Sequence, residues 1–424
     1  MSSRSRVVYI VGAGLAGLSA AVRLVQAGFQ VVVLEAAPHA GGRCRSFDDP
    51  VLECRIDNGS HLLLSGNRST LSYVDAIGST NELWQAGEAA FPFLDLRNGS
   101  QWQVRLNDGS IPWWIASPSR RVPGTSIRDY TVPLRMAVAS KDTTVADIAS
   151  EGMLYERFLE PLTVAALNAI PSRASAHLLW QAMAESFLKG GRYCRPMIAK
   201  QGVSEALVLP AVAYLEANGV AIQSGVRVKG LEWSGNTATR LVTTQGAYEV
   251  GPFDQVVLAV PPSHLRRLMP ALSVPDDQST ILNAHFRLPG EVAPPGVPSF
   301  LGLLGGTSQW LFLRNDVASV TISAADQLGL SDLPEKQLLE TVWREVQMAL
   351  DGSVECYRSA RLIREKRATF DQSPAGVAAR PSTDIGMTNL FLAGDFTRTG
   401  LPATIEGAIR SGELAAKAVT AKTR

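Results

Sequence analysis

An α/β fold with a parallel sheet is predicted by two stretches at opposite ends of the 424-residue chain. Residues 7–43 read VVYIVGAGLAGLSAAVRLVQAGFQVVVLEAAPHAGGR: an apolar run, a glycine turn, a helical stretch, a second β-branched run and an acid. Residues 390–412 read LFLAGDFTRTGLPATIEGAIRSG, again strand, turn and helix. Strands alternating with helices at this spacing make parallel units with their ligand at the strand ends.

The first stretch specifies a Rossmann-like unit. Val7–Val11 is the opening strand, and Gly12-Ala13-Gly14-Leu15-Ala16-Gly17 follows it. Gly12 permits the tight turn, Gly14 lets a pyrophosphate reach the backbone, and Gly17 lets the helix pack on the strand. Leu15 and Ala16 open that helix, where unpaired N–H groups and the positive dipole end attract phosphate. Gly28 stops the helix, and the second strand, Val31–Leu34, ends on Glu35 and Ala36. Glu35 lies 21 residues after Gly14, where a carboxylate accepts ribose hydroxyls and repels a 2′-phosphate. A mere glycine-tolerant turn does not require that acid.

Further glycine turns separate FAD from NAD. Gly41-Gly42-Arg43 gives a second close approach with a guanidinium for the pyrophosphate, and Arg45 and Ser46 extend the polar turn. Near the other end, a strand Leu390–Ala393 leads into Gly394-Asp395 and a helix expected from about Ala403. Asp395 suits a ribityl hydroxyl or a water-bridged phosphate. The helix start Ala403-Thr404-Ile405 presents a positive dipole to a reduced flavin. The expected cofactor is FAD. The plain alternatives are a glycine turn with a surface arginine and an ordinary strand–helix pair.

Composition sets the outer limits. The chain is 46% hydrophobic and 19% charged with a net charge of +1, which suits a globular enzyme and gives no case for nucleic acid. Cys44, Cys54, Cys194 and Cys356 have no metal-binding or redox spacing. MSSRSR runs straight into the first strand, and no apolar stretch approaches the roughly 18–20 residues of a membrane span. Proline- and glycine-rich breaks at 117–125 and 288–298 read as long loops, and 229–250 reads as a strand pair turning at Gln245-Gly246.

These motifs resemble the flavin-dependent amine oxidase and phytoene desaturase superfamily. The resemblance extends to GVSEALVLPAVAYLEANGVAI and GVRVKGLEW, which in that superfamily lay Val226 near the adenine, and to FDQVVLAVPP (Phe253–Pro262). It implies a Rossmann-like FAD-binding domain built from discontinuous segments, 1–75, 197–265 and 380–424. An interleaved α+β substrate-binding domain would take 76–196 and 266–379.

Asp57-Asn58-Gly59-Ser60-His61-Leu62-Leu63-Leu64 and the stretch LYERFLEPLTVAALNAIPSRAS (154–175) resemble the squalene-associated branch, the bacterial hydroxysqualene dehydroxylases. Residues 107–143 match poorly and are expected at a substrate entry. This branch implies reduction of hydroxysqualene to squalene in bacterial squalene and hopanoid synthesis. A protonated allylic hydroxyl leaves as water, and the delocalised cation accepts hydride in a dry pocket. Gly59, Ser60 and His61 are expected beside the flavin, with His61 the first candidate acid. A histidine that merely fixes the loop is the equal alternative. Glu160 is a second candidate if its pKa is raised; Asp57 is expected to orient the loop. Trp180, Phe187 and Tyr193 are candidate cation stabilisers or simply core.

No second dinucleotide motif is present, so an unidentified electron donor is expected. Because the substrate resides in a bilayer, Ile111-Pro112-Trp113-Trp114-Ile115 with Arg120-Arg121 is a candidate peripheral membrane contact, the alternative being two core tryptophans. The expected location is cytoplasmic, with a peripheral position at the inner face of the cell membrane as the candidate alternative. The competing functions are a polyene desaturase or amine oxidase of the same superfamily, and a non-catalytic FAD-binding protein.

Overall fold

The computed structural model describes residues 6–276, 279–293, 296–297 and 299–423. The first five residues, and Pro294, Pro295 and Pro298 of the proline-rich break, lie outside them. Five parallel strands form one sheet in the order Ile222–Ser224, Gln30–Glu35, Val7–Val11, Gln255–Leu258, Leu390–Leu392. The order reverses at Val7–Val11, which opens a crevice at the C-terminal ends of Val7–Val11 and Gln255–Leu258. The helix Leu15–Gln26 is buried on most sides between this sheet and the C-terminal helix Ile405–Thr423. It ends as expected at Gly28, whose φ of +83° lets Phe29 N–H donate to Leu24 O and Gly28 N–H to Val25 O.

The second sheet has seven strands, in the order Ser359–Thr369, Ser279–Arg287, Val317–Ile322, Trp310–Arg314, Ser299–Leu304, Ala90–Asp95, Ser100–Arg105. All pairs are antiparallel except Ser299–Leu304 with Ala90–Asp95. Alternation along Ser279–Arg287 sorts its two faces. Leu282, Ala284 and Phe286 pack under the amphipathic helix Glu335–Ala349, while Ile281 and Asn283 face a cavity.

Two local expectations change. Residues 228–249 form three strands, Val228–Ser234, Thr237–Thr243 and Gly246–Glu249, rather than two. Gly235, at φ +57°, and Asn236 supply a tight hairpin turn that the pattern of β-branched residues had hidden. The C-terminal helix starts at Ile405 rather than Ala403: Thr404 caps it, its Oγ1 accepting the Gly407 N–H at 3.0 Å.

Candidate cofactor and substrate site

The glycine turn is held by backbone and by one carboxylate. A Cβ on Gly12, at φ +105°, would collide with the Ala259 carbonyl of the neighbouring strand exit. A Cβ on Gly14 would meet nothing within 4 Å. Gly14 is the N-cap of Leu15–Gln26 and no side chain caps the first N–H groups of this buried helix. Glu35 sits beside them: its Oε2 accepts the Ala13 N–H and its Oε1 the Ala37 N–H, both at 2.7 Å. Its carbonyl takes the Val226 N–H at 2.8 Å, which brings Val226 to the same strand end, with Ala36 exposed next to it.

The second turn docks on the first. Gly41 N–H donates to Ala13 O at 2.8 Å, and Gly14 and Gly41 form a parallel bridge. This sets Gly42 against the Gly14 backbone. Arg43 then meets Asp395, Nη2 to Oδ2 at 2.8 Å. Gly394, whose N–H donates to Ser411 Oγ at 2.8 Å, fixes the turn that carries Asp395. Arg380 braces the same turn from within. It is 2% exposed, and its guanidinium donates to the carbonyls of Asp395, Phe396 and Thr397 and to Thr399 Oγ1. Burial lowers its pKa to about 10.

A cavity of about 370 Å³ opens beyond this frame. Its sheet wall carries Phe91, Phe93, Trp310 and Phe312, with Ile281, Asn283 and Thr321. Its helical wall comes from Glu160–Leu167 and Ala176–Glu185, through Leu162, Ala165, Ala166, Leu179 and Met183, with Phe158 and Phe187 at their margins. Asn58, Gly59, Ser60 and His61 form a third side, and Leu401, Pro402, Ala403, Thr404, Ile405 and Glu406 a fourth. The result is a largely apolar space with a few polar side chains, among them Asn283 and Thr321, in its walls.

A family model for flavin containing amine oxidoreductase matches residues 15–420. The chain belongs to this family. It is 42% identical over 422 residues to hydroxysqualene dehydroxylase from Rhodopseudomonas palustris, covering 99% of this chain and 100% of that one. It is 42% identical over 419 residues to the protein of the same name from Sinorhizobium fredii, covering 98% and 99%. In fold it is similar to cyclohexylamine oxidase from Brevibacterium oxydans, with a TM-score of 0.72, 13% identity, and 99% of each chain covered.

Like its family, this flavin amine oxidoreductase takes FAD, and its residues fit that group. The uncapped helix at Gly14, the empty space where a Gly14 side chain would stand, and the adjoining carboxylate of Glu35 form a cradle for a dinucleotide. The turn at 403–405 fits with one change. Ala403 N–H is already used, donating to Gln372 Oε1 at 2.9 Å, which leaves Thr404 and Ile405 as the free start of the helix.

The catalytic candidates separate. His61 lines the cavity, and its Nε2 is buried with no hydrogen-bond partner. Burial holds its imidazole below the ordinary histidine value, against the pull of the Asp57 carboxylate. Glu160 is half-buried, and burial together with Glu156 raises its carboxyl, while Arg97 opposes this. It does not, however, line the cavity. Asp57 is itself fixed where the loop begins: it accepts from Ser46 Oγ at 2.6 Å and Val203 N–H at 3.0 Å and pairs with Arg314 at 2.8 Å. Of the aromatic candidates only Phe187 reaches the cavity; Trp180 packs in the core, and Tyr193 lies under Arg68 and Lys189. Sequence reasoning missed Phe91, Phe93, Trp310 and Phe312. Their i, i+2 spacing on two strands was the available signal.

Cys44 and Cys194 are buried thiols whose pKa values burial pushes up. Among the described residues no histidine, cysteine or carboxylate group is arranged to hold a metal, and no helix is long and apolar enough to cross a membrane.

Proposed function

We propose that this chain converts hydroxysqualene to squalene by FAD-dependent reductive dehydroxylation. The observation that carries the reading is its 42% identity, over 99% of its length, to a protein named for that reaction. When bound in its reduced form, FAD supplies the hydride. Gly12, Gly14, Leu15, Ala16 and Gly17 would hold the pyrophosphate, with Glu35, Ala36 and Val226 at the adenosine end. Gly42, Arg43, Gly394 and Asp395 would hold the middle of the cofactor. Gly59, Ser60, His61, Ala403, Thr404 and Ile405 would meet the part that enters the cavity. A donor outside this chain supplies the reducing equivalents.

The cavity supports the rest of the chemistry. Its aromatic and aliphatic walls match an isoprenoid chain and keep water from a cation that would otherwise return to alcohol. The aromatic faces on the sheet wall favour positive charge as the allylic C–O bond breaks. His61 would serve the hydroxyl: it lines this cavity, and its buried Nε2 has no hydrogen-bond partner within the protein. Its low pKa makes the protonated ring a strong donor and a scarce one at neutral pH.

Delivery of the substrate would occur at a membrane surface. Ile111 is 78% and Trp113 53% exposed, whereas Trp114 is buried against Tyr130, so the two tryptophans divide between surface and core. Ile127, Leu134 and Val138 extend the exposed apolar side chains. Residues 111–141 carry Arg120, Arg121, Arg128, Arg135 and Lys141 against one acid, Asp129, which suits anionic headgroups. The buried side of the segment joins the aromatic core that lines the cavity.

The deciding experiment mixes photoreduced holoenzyme with hydroxysqualene without oxygen. Reoxidation of the flavin with formation of squalene is expected. A flavin that stays reduced overturns the reading, and oxidised holoenzyme whose flavin is bleached by a polyene or an amine favours an oxidase or desaturase instead.

A further inference from the structure

Gln372 lies in no sequence motif, is 1% exposed, and has both ends of its amide occupied. Its Nε2 donates to Leu167 O at 2.6 Å, and its Oε1 accepts the Ala403 N–H at 2.9 Å. Leu167 is the last residue of the helix Glu160–Leu167, which Asn168 ends in the left-handed conformation at φ +46°. Leu167 O is therefore one of the carbonyls that a helix end leaves without an internal partner. Ala403 stands on the other wall, just before the Thr404 cap of the C-terminal helix, where its N–H is likewise outside the helix.

One neutral side chain thus ties the helix that walls the substrate cavity to the turn on its cofactor side. Neighbouring bonds hold the clamp in place. Gln372 O accepts the Ser175 N–H at 3.0 Å, which anchors the start of the second cavity helix. Asn168 Nδ2 donates to Thr369 Oγ1 at 3.0 Å, and Asn168 Oδ1 accepts the Ala324 N–H at 2.6 Å. The end of the helix at Leu167 and the turn at Ala403 are thus held one glutamine amide apart.

We infer that Gln372 is a positioning residue that fixes the spacing between the substrate and the cofactor side of the cavity. The inference rests on the dehydroxylase reading for its substrate, but its structural part can be read without it. A displacement of about 1 Å between reacting partners slows transfer by up to about 100-fold, whereas overall binding need not change.

The test compares wild type with Gln372→Met, which removes both bonds at similar length, and Gln372→Glu, which keeps the acceptor toward Ala403. Expected for Gln372→Met is full FAD content and an altered visible circular dichroism of the bound flavin. Anaerobic reoxidation by saturating hydroxysqualene should slow by about 10- to 100-fold, with half-saturation moving less than about threefold. Reoxidation by ferricyanide, which needs no aligned substrate, should be unchanged, and Gln372→Glu should fall between the two. Equal slowing with both oxidants, a change in half-saturation alone, or an unchanged dichroism overturns the inference. If Gln372→Met does not fold, the same comparisons on Gln372→Glu decide. If wild type is not reoxidised by hydroxysqualene, the dehydroxylase reading fails, while the dichroism still reports on the clamp.

Discussion

Arg43 and Asp395, 352 residues apart in the chain, meet as an ion pair of 2.8 Å. The Asp395 carboxylate is buried, and the arginine also donates to Ala368 O, so the pair links three segments. Asp395→Ala removes the carboxylate from this ion pair while the arginine keeps its bond to Ala368 O. FAD affinity should fall by about 10-fold or more, at about 1.5–3 kcal/mol for a lost charged hydrogen bond. The flavin-to-protein ratio after dialysis, with titration of the apoprotein, measures it.

Gly14 and Gly12 should respond differently to the same change. A side chain at Gly14 meets no protein atom within 4 Å, so Gly14→Val should fold and yet bind no FAD. At Gly12 the new Cβ strikes the Ala259 carbonyl at a φ of +105°, so Gly12→Val should lower the melting temperature of the apoprotein itself. A Gly14→Val protein that purifies with a full flavin spectrum would place the pyrophosphate elsewhere.

Stability should fall in mild acid through His285. This histidine is 1% exposed, donates or accepts only at Nδ1 with Ser319 Oγ at 2.8 Å, and has its pKa lowered by burial to about 4. Above pH 6.5 it is neutral in both folded and unfolded chains and contributes no pH dependence. Below that value the unfolded chain takes up a proton that the fold refuses, so stability declines until about pH 4. The full difference is about 3 kcal/mol. Denaturant midpoints between pH 7 and pH 4 should show a shallower slope in His285→Gln than in wild type.

His61 should control the rate more than the fold. His61→Gln keeps a polar group in the cavity wall but cannot carry a proton, so flavin content should persist. Reoxidation by hydroxysqualene should slow by about 100-fold, within the usual range for a lost acid. Because the imidazole pKa is lowered, the wild-type rate should rise as pH falls below the ordinary histidine range, and the variant should lose that rise. A His61→Gln rate equal to wild type removes this residue from the chemistry.

The exposed segment should bind acidic vesicles. Wild-type protein is expected to float with phosphatidylglycerol-containing liposomes at low salt and less so at high salt. Leu134→Glu with Val138→Glu should abolish flotation without loss of FAD, as both side chains are solvent-exposed, Val138 at 87%. Unchanged flotation of that double variant, and of Trp113→Ala, would exclude the segment as the contact.

The parallel sheet, the glycine turn and the chemistry of the cofactor are legible along the chain. Those features are local: Gly12, Gly14, Gly17 and Glu35 fall within one strand–helix–strand unit, where backbone geometry and spacing fix the outcome. Arg43 and Asp395 were each expected at the cofactor from their own motifs, but only the tertiary fold brought them within 2.8 Å of one another. The tertiary structure alone decided the cavity. Its wall combines Phe91 and Phe93 with Trp310 and Phe312 through the pairing of two distant parts of one sheet. It also left Glu160 outside that wall, divided Trp113 from Trp114, and gave Gln372 a task that no motif announced. The physical reason is the range of the interactions. A turn is specified by the few residues that form it, whereas a cavity is the space left between segments whose packing is decided together.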